Sequence, residues 1–202
     1  MTPRRHLNEK VALGICILAG GLSKRMGRDK AAIRLGVSTL LQRVRKMAKE
    51  FDLPVRVIRR DLVPRCGPLG GIYTGLISSR ASAELFLACD MPFVQPQSLR
   101  KLINRFNKTG RPVFTRVNGV AGFPLMIPVS DAATVLHRIE AKELSIQSLA
   151  CALDGLFLTI KAVDTAEFRN LNTPADLNGV MQPYVKSTGP KRFKIDFHRP
   201  HR

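Results

Sequence analysis

The chain has 202 residues, of which 33 are Lys or Arg and 15 are Asp or Glu, so its formal net charge is +18. Hydrophobic residues make up 45% and charged residues 24%, which is ordinary globular composition and excludes a wholly disordered chain. The four cysteines form no CxxC pair, which excludes a disulfide scaffold and a cysteine zinc site and fits a reducing cytosol. So basic a balance predicts an anionic partner: nucleic acid, a membrane surface or phosphorylated small molecules.

The N-terminal segment superficially resembles a signal peptide, because Arg4 and Arg5 precede an apolar stretch from Val11 to Ala19. Glu9 interrupts the approach, however, and the stretch runs straight into two glycines and a charged segment. A strand that feeds a glycine-rich loop explains the same residues. The apolar run is also far too short to span a membrane. We therefore expect a cytoplasmic protein.

Short apolar runs alternate with amphipathic segments, which is typical of βα units around a largely parallel sheet. The predicted elements are, in chain order, strand 11–18, helix 40–51, strand 55–58, helix 68–79, strand 84–89, helix 99–106, strands 112–115 and 123–127, helices 132–140 and 146–153, and strand 156–161. Pro174 begins a final predicted helix, with Thr173 as its N-cap. Residues 1–185 form one predicted domain. Residues 186–202, with six Lys or Arg against one Asp, form a predicted disordered basic tail.

A glycine-rich loop follows the first predicted strand and has the sequence LAGGLSKRMGRDK from Leu18 to Lys30. Its two adjacent glycines free the backbone to approach a ligand, and N–H groups exposed in such a loop bind anions. Arg25 can bridge phosphate oxygens bidentately, while Lys30 acts as a point charge. The spacing matches neither a P-loop nor a dinucleotide-binding fingerprint. A phosphate-binding loop is favoured over a tight turn with solvated charges.

A carboxylate ends the third predicted strand, where the sequence is LACDMP and Asp90 precedes Met-Pro. At the C-terminal end of a parallel strand, Asp90 points into the crevice where α/β proteins bind ligands. One carboxylate oxygen, together with phosphate oxygens and waters, is a usual way of holding Mg²⁺. Alone, Asp90 could simply cap the following turn, but beside a phosphate loop metal ligation is favoured.

The loop DLVPRCGPLGG, residues 61–71, opens the second predicted helix. Its backbone around Gly67 could approach a flat ligand closely, and Asp61 could accept hydrogen bonds from a ribose or a base edge. A plain helix N-terminus with Pro near its first position explains the segment equally well.

Two asparagines flank an apolar residue near the end of the predicted domain, in the sequence NLNTPAD. Asn170 and Asn172 therefore lie on one side of an extended segment. They could face a substrate phosphate or a metal-bound water. As turn and capping residues they also need no function.

Taken in order, the four motifs resemble those of the MobA-type nucleotidyltransferases, the molybdenum cofactor guanylyltransferases, over roughly residues 11–180. The resemblance implies a Rossmann-like three-layer α/β/α fold with a mostly parallel sheet in a single domain. It also implies transfer of GMP from Mg²⁺-GTP to the phosphate of molybdopterin, giving molybdopterin guanine dinucleotide and pyrophosphate. The LAGG form is closer to the guanylyl branch than to the cytidylyl branch.

The same resemblance implies roles for individual residues. Those implied at the nucleotide are Leu18, Ala19, Gly20, Gly21, Lys30, Asp61, Gly67 and Asp90. The implied catalytic residues are Arg25, Lys30 and Asp90, with Asp90 as the ligand of Mg²⁺, the implied cofactor. Asn170 and Asn172 match residues near the second substrate.

One segment departs from the family pattern. Similar proteins place a strand with a nucleotide-binding Asn, and a short helix, between the elements that we predict at 40–51 and 55–58. Here residues 51–55 join those two elements directly, and a parallel crossover needs a dozen or more residues. Either one sheet strand is missing or Val55 to Ile58 takes its place.

Other functions stay open at this point. A related nucleotidyltransferase could use CTP or a sugar phosphate, and a degenerate relative could bind nucleotide without turnover. The charge also suggests a nucleic-acid-binding protein, but the aromatic content is only 6% with no Trp, so stacking platforms are scarce. The expected partners are GTP and molybdopterin, with no nucleic acid or membrane. We expect a monomer, and contacts with proteins that make or accept the cofactor stay open.

Overall fold

A computed structural model of the chain describes residues 12–20, 30–173 and 176. Within these ranges the strands are β1 Leu13–Leu18, β2 Arg34–Leu35, β3 Ser38–Thr39, β4 Val55–Ile58, β5 Ala83–Ala88, β6 Val113–Val117, β7 Val120–Pro128 and β8 Leu156–Thr159. The α-helices are α1 Leu40–Ala48, α2 Gly67–Ile77, α3 Pro96–Thr109, α4 Ala132–Glu140 and α5 Ile146–Ala152. Shorter 3-10 helices cover Lys30–Ala32, Lys49–Phe51, Val129–Asp131 and Ala162–Phe168.

Six strands form one sheet in the order β4-β1-β5-β7-β6-β8. The pairs β4–β1, β1–β5 and β6–β8 are parallel, whereas β7 is antiparallel to both of its neighbours. A tight turn joins β6 to β7 at Asn118 and Gly119, which have positive φ angles of 49° and 82°. The mostly parallel sheet is as predicted, and the reversal of β7 is an addition that the sequence patterns did not indicate.

Helices cover both faces of this sheet, because successive side chains of a strand point to opposite faces. Ile15, Ile17 and Leu85 pack on one face with the apolar sides of α1 and α3. Cys16 and Phe86 pack on the other face with α2, α4 and α5. The predicted three-layer α/β/α arrangement in a single domain is therefore confirmed.

Helix α1 begins at a capping box. Thr39 Oγ1 accepts a hydrogen bond from Gln42 N at 3.1 Å, and Gln42 Oε1 accepts one from Thr39 N at 2.7 Å. Its buried side chains recur at helical spacing, as predicted, and are Leu40, Leu41, Val44 and Ala48. The helix ends at Ala48 and continues as a 3-10 turn to Phe51, so the prediction of helix over 40–51 ran one turn too far.

The short connection at residues 51–55 is explained by the pairing of β4. This strand lies directly beside β1 and parallel to it, with Ile15 opposite Val55 and Leu18 opposite Ile58. The crossover between the two parallel strands is therefore the whole β1–α1–β4 unit, not the short link after α1. Val55–Ile58 occupies the edge of the sheet next to β1.

A buried ion pair ties this edge strand to β5. The Arg56 guanidinium donates to Glu84 Oε1 at 2.7 Å and to Gly75 O at 2.8 Å. Glu84 is only 1% exposed, so its charge requires this partner. Part of the chain's basic excess is thus used inside the fold.

Apart from Asp176, whose N–H donates to the predicted N-cap Thr173 Oγ1 at 3.1 Å, the predicted helix from Pro174 and the predicted tail 186–202 lie outside the described residues. In the part of the chain that the structure does describe, no helix combines the length and the apolar character needed to cross a membrane.

Candidate active site

A cleft of about 1570 Å³ opens at the carboxyl ends of β1, β4 and β5. The chain passes from β1 to β4 on one side and returns to β5 on the other, which makes this edge a topological switch point. Ligands of open α/β sheets bind at such points. Many of the residues predicted at the site line the cleft: Leu18, Ala19, Gly20, Lys30, Asp61, Gly67, Asp90 and Asn170. Gly21 and Arg25 lie outside the described residues.

Backbone hydrogen bonds hold the floor of the cleft together. Ala19 N donates to Ile58 O at 2.8 Å, and Cys89 N donates to Leu18 O at 3.0 Å. A Cβ atom at Gly20 would lie 2.7 Å from Arg59 O, so only glycine fits where the loop leaves β1. The two glycines predicted a close approach of the backbone to a ligand. At Gly20 the close approach is to the backbone of Arg59.

The Lys30 ammonium joins two other predicted site residues. Its Nζ atom donates to Asn172 Oδ1 at 2.6 Å and lies 3.3 Å from Asp90 Oδ2. The side chains of Lys30 and Asp90 are 23% and 18% exposed, so the contact is shielded but open to a ligand. A cation, a carboxylate and an amide from three distant parts of the sequence therefore meet at one point.

The segment that carries the two asparagines is fastened to the strand end at Asp90. Leu171 is fully buried, and its N–H donates to Asp90 O at 2.9 Å. Asp176 Oδ2 accepts hydrogen bonds from Asn172 N and Thr173 N, both at 2.8 Å. These backbone hydrogen bonds hold the pKa of the Asp176 carboxyl below its ordinary value. The turn thus fixes Asn172 beside Lys30.

Asp61 lies on the β4 side of the cleft, on a loop that rests against α2. Leu62 N donates to Thr74 Oγ1 at 2.9 Å, and Thr74 is itself buried. A Cβ atom at Gly70 would lie 3.0 Å from Asp61 Oδ2, so the carboxylate packs against the glycines of α2. Burial raises the pKa of Asp61.

Several cleft residues were not predicted. Arg60 and Arg65 flank Asp61, and the β6–β7 hairpin supplies an apolar wall with α5 and the 3-10 helix Ala162–Phe168. The residues of that wall are Val117, Val120, Ala121, Phe123, Ile146 and Phe168. The turn dipeptide Asn118-Gly119 is a hairpin signal that could have indicated this wall.

Glu167 is a further residue that sequence reasoning missed. Its carboxylate accepts hydrogen bonds from Ser98 Oγ at 2.6 Å and from Gln95 N at 3.1 Å. It thereby caps the N-terminus of α3, where a negative charge is stabilising, and attaches the segment that leads to Asn170. No short motif marks such a long-range cap.

The donor set at the end of β5 suits a magnesium ion. Asp90 presents hard carboxylate oxygens in a cleft, and its side chain contacts a cation, Lys30. A single carboxylate with substrate phosphates is a common way of binding Mg²⁺. Within the described residues no group of three His, Cys, Asp or Glu side chains is placed to hold a metal.

This cleft, at the switch point of a mostly parallel sheet and with its cation beside a carboxylate, defines an open-sheet α/β protein with a ligand site at the carboxyl ends of its strands. Residues 15–155 match the family model described as the MobA-like NTP transferase domain. The chain belongs to this family of nucleotidyltransferases.

Proteins with similar sequences or folds match this chain over most of its length. It is 32% identical over 188 residues to a molybdenum cofactor guanylyltransferase of Pseudomonas syringae pv. syringae, covering 83% of this chain and 92% of that protein. It is 29% identical to a probable molybdenum cofactor guanylyltransferase of Pelotomaculum thermopropionicum, covering 80% and 88%. The fold matches the crystal structure of molybdopterin-guanine dinucleotide biosynthesis protein A from Archaeoglobus fulgidus, with a TM-score of 0.65, 20% identity, and coverage of 86% of this chain and 99% of that one.

Proposed function

We propose that this protein transfers GMP from Mg²⁺-GTP to molybdopterin, forming molybdopterin guanine dinucleotide and pyrophosphate. The observation that carries the proposal is the contact of Lys30, which lines the cleft, with both Asp90 and Asn172. These are the three residues to which the family resemblance assigns the nucleotide phosphates, the metal and the second substrate. The names of the relatives support the same reaction.

The reaction is an in-line displacement at the α-phosphorus of GTP. A phosphate oxygen of molybdopterin forms the new P–O bond, and the bond from the α-phosphorus to the bridging oxygen of pyrophosphate breaks. A phosphate nucleophile is already ionised at neutral pH, since its second pKa is about 6. The protein therefore needs no general base, and its task is to position two anions and to offset their charge.

The residues divide this task between them. Lys30 moves its ammonium from Asp90 to the phosphates of the bound nucleotide, with Arg25 of the glycine-rich loop as a second cation. Asp90 is then free to hold Mg²⁺, which when bound supplies charge neutralisation at the phosphates. Asn172 keeps Lys30 at the junction of the two substrates, and Asn170 lines the cleft nearby.

Incubation with molybdopterin, Mg²⁺ and each of GTP, CTP, ATP and UTP, followed by mass spectrometry, tests the proposal. The expected result is the guanine dinucleotide, formed only with GTP and Mg²⁺. The cytosine dinucleotide in its place would identify a cytidylyltransferase. Nucleotide binding without any product would identify a degenerate relative, and tight RNA binding without GTP binding would identify a nucleic-acid-binding protein.

We also propose that the enzyme acts as a monomer in the cytoplasm. No disulfide joins any of Cys16, Cys66, Cys89 and Cys151, all four of which the structure describes, and this suits a reducing compartment. Sedimentation equilibrium of the purified full chain at micromolar concentration tests the oligomeric state.

A further inference from the structure

The proposed transfer of GMP assigns no role to Arg60 or Arg65, yet both line the cleft beside Asp61. Both are exposed, and the Asp61 carboxylate is partly buried. Within the described residues, none of these three side chains forms a hydrogen bond or an ion pair. Opposite charges that share one cleft without pairing leave their donors and acceptors available to a ligand.

The backbone places Arg65 at the cleft in a conformation that is unusual for its residue type. Its φ angle is 62°, in the left-handed region, and Gly67 has a φ of 55°. A residue other than glycine adopts this region at a cost in conformational energy, and such residues concentrate at functional sites. The two left-handed residues flank Cys66, the N-cap of α2, at the point where the loop enters the helix.

Asp61 is held at a fixed position relative to this turn. Leu62 N is bound to the buried Thr74 of α2, and Val63 O would lie 2.8 Å from a Cβ atom at Gly70. The loop therefore rests directly on the helix that Arg65 precedes. A fixed acceptor and a nearby guanidinium fork are the components of a planar recognition site.

We propose that Arg65 is the residue that selects the guanine base, donating to O6 and N7 while Asp61 accepts from N1–H and the N2 amino group. This proposal rests on the proposed function. Guanine presents two acceptors and two donors along one side of its ring system, and an arginine fork matches the O6–N7 pair. Adenine carries a donor at position 6, and pyrimidines have no N7. Asp61 and Arg65 together would therefore favour GTP over the other three nucleotides.

Titration calorimetry with GTP, 7-deaza-GTP and ATP tests the role of Arg65, because 7-deaza-GTP lacks only the N7 acceptor. The wild-type chain is expected to bind GTP on the order of tenfold more tightly than 7-deaza-GTP. Arg65→Lys keeps the charge but removes the two-pronged guanidinium donor. We therefore expect this variant to bind GTP and 7-deaza-GTP with about equal affinity. Arg105→Lys on the exposed side of α3 is the matched control and should keep the full difference. Thermal melting shows whether each variant is folded.

Three results would overturn the proposal. An undiminished preference for GTP over 7-deaza-GTP in Arg65→Lys shows that Arg65 contacts phosphate or solvent. Loss of the preference in Arg60→Lys instead transfers the role to Arg60. Failure of the wild-type chain to bind any nucleotide overturns the proposed function as well, whereas GTP binding with an Arg65-independent preference overturns the assignment of Arg65 alone.

Discussion

Lys30 Nζ donates a 2.6 Å hydrogen bond to Asn172 Oδ1, although the two residues are 142 positions apart in the chain. The same ammonium lies 3.3 Å from Asp90 Oδ2. The residue assigned to the nucleotide phosphates is thus in direct contact with the residue assigned to the second substrate. Binding at one position therefore changes the partners available at the other.

Replacing Asn172 should weaken the site for the second substrate. Asn172→Ala removes the amide that the family resemblance places near the second substrate, and a hydrogen bond between such an amide and a charged group contributes about 1.5–3 kcal/mol. We expect the KM for molybdopterin to rise about tenfold or more, with a smaller change in the KM for GTP. Asn104→Ala, at an exposed position of α3, is the control in the same steady-state assay. An equal rise in both KM values would contradict the separate assignment of Asn172.

Removing either charge of the Lys30–Asp90 pair should abolish transfer without unfolding the protein. Loss of one preorganised charge contact costs on the order of a hundredfold or more in turnover. We expect this loss in Asp90→Asn and in Lys30→Ala, measured as dinucleotide formed per minute. Asp154→Asn, whose side chain is 94% exposed, should behave as wild type. Near-wild-type turnover in both site variants would refute the assignment of the site.

The turn that carries Asn172 should loosen in acid. Backbone hydrogen bonds from Asn172 and Thr173 lower the pKa of Asp176 below its ordinary value of 3.8. Because the folded pKa is the lower one, the stabilisation is complete above the ordinary value and is lost as pH falls through the folded value. The amide chemical shifts of Asn172 and Thr173 should titrate with that low midpoint, and Asp176→Asn should remove the titration. A midpoint at or above 3.8 would show that the two amides do not bind the carboxylate.

Breaking the buried pair at the start of β5 should destabilise the whole domain. Arg56→Met leaves the Glu84 carboxylate buried without its cation, which costs about 3–5 kcal/mol. Urea unfolding measures this loss. Arg105→Met, at an exposed position of α3, should leave the midpoint of urea unfolding nearly unchanged. The double variant Arg56→Met with Glu84→Gln should recover part of the loss, because no buried charge is left unpaired. Equal midpoints for Arg56→Met and Arg105→Met would contradict this account.

Packing of α2 on the sheet should not tolerate a side chain at Gly75. A Cβ atom there would lie 2.6 Å from Phe86 Cε1 and 2.8 Å from Cys16 Sγ. Gly75→Ala should therefore lower the free energy of unfolding by about 1–3 kcal/mol, measured by urea denaturation. Gly122→Ala meets nothing within 4 Å and is the matched control. A Gly75→Ala chain as stable as that control would mean that α2 can move away from β5.

The sequence predicts local structure well where hydrophobic periodicity is strong. Helix α4 was predicted with its observed bounds, Ala132–Glu140, and β4 with its bounds Val55–Ile58. The reversal of β7 was not predicted, because strand direction depends on pairing between distant segments and leaves no mark on periodicity. The same limitation applies to the order of strands in the sheet.

The site was predictable where its residues follow a strand directly. Asp90 lies just past the end of β5 and Leu18 ends β1, so the rule for parallel sheets brings them to one edge. The contact between Lys30 and Asn172 depends on how two irregular segments fold back, and no spacing rule covers it. Arg65 was not predicted, because an arginine whose backbone adopts the left-handed conformation has no signature in the sequence. The glycine that usually occupies such a position does have one.

Strand β5 has a carboxylate at each end, and each carboxylate is bound to a cation from another part of the chain. Glu84 near its start pairs with Arg56, and Asp90 just past its end pairs with Lys30, about 20 Å away at the usual rise per residue. Ion pairs to other segments of the chain thus hold β5 at both of its ends. A shift of Asp90 along the axis of β5 would therefore also displace Glu84 from Arg56 at the other end of the strand. The position of Asp90 therefore depends in part on an ion pair whose two residues, Arg56 and Glu84, do not line the cleft.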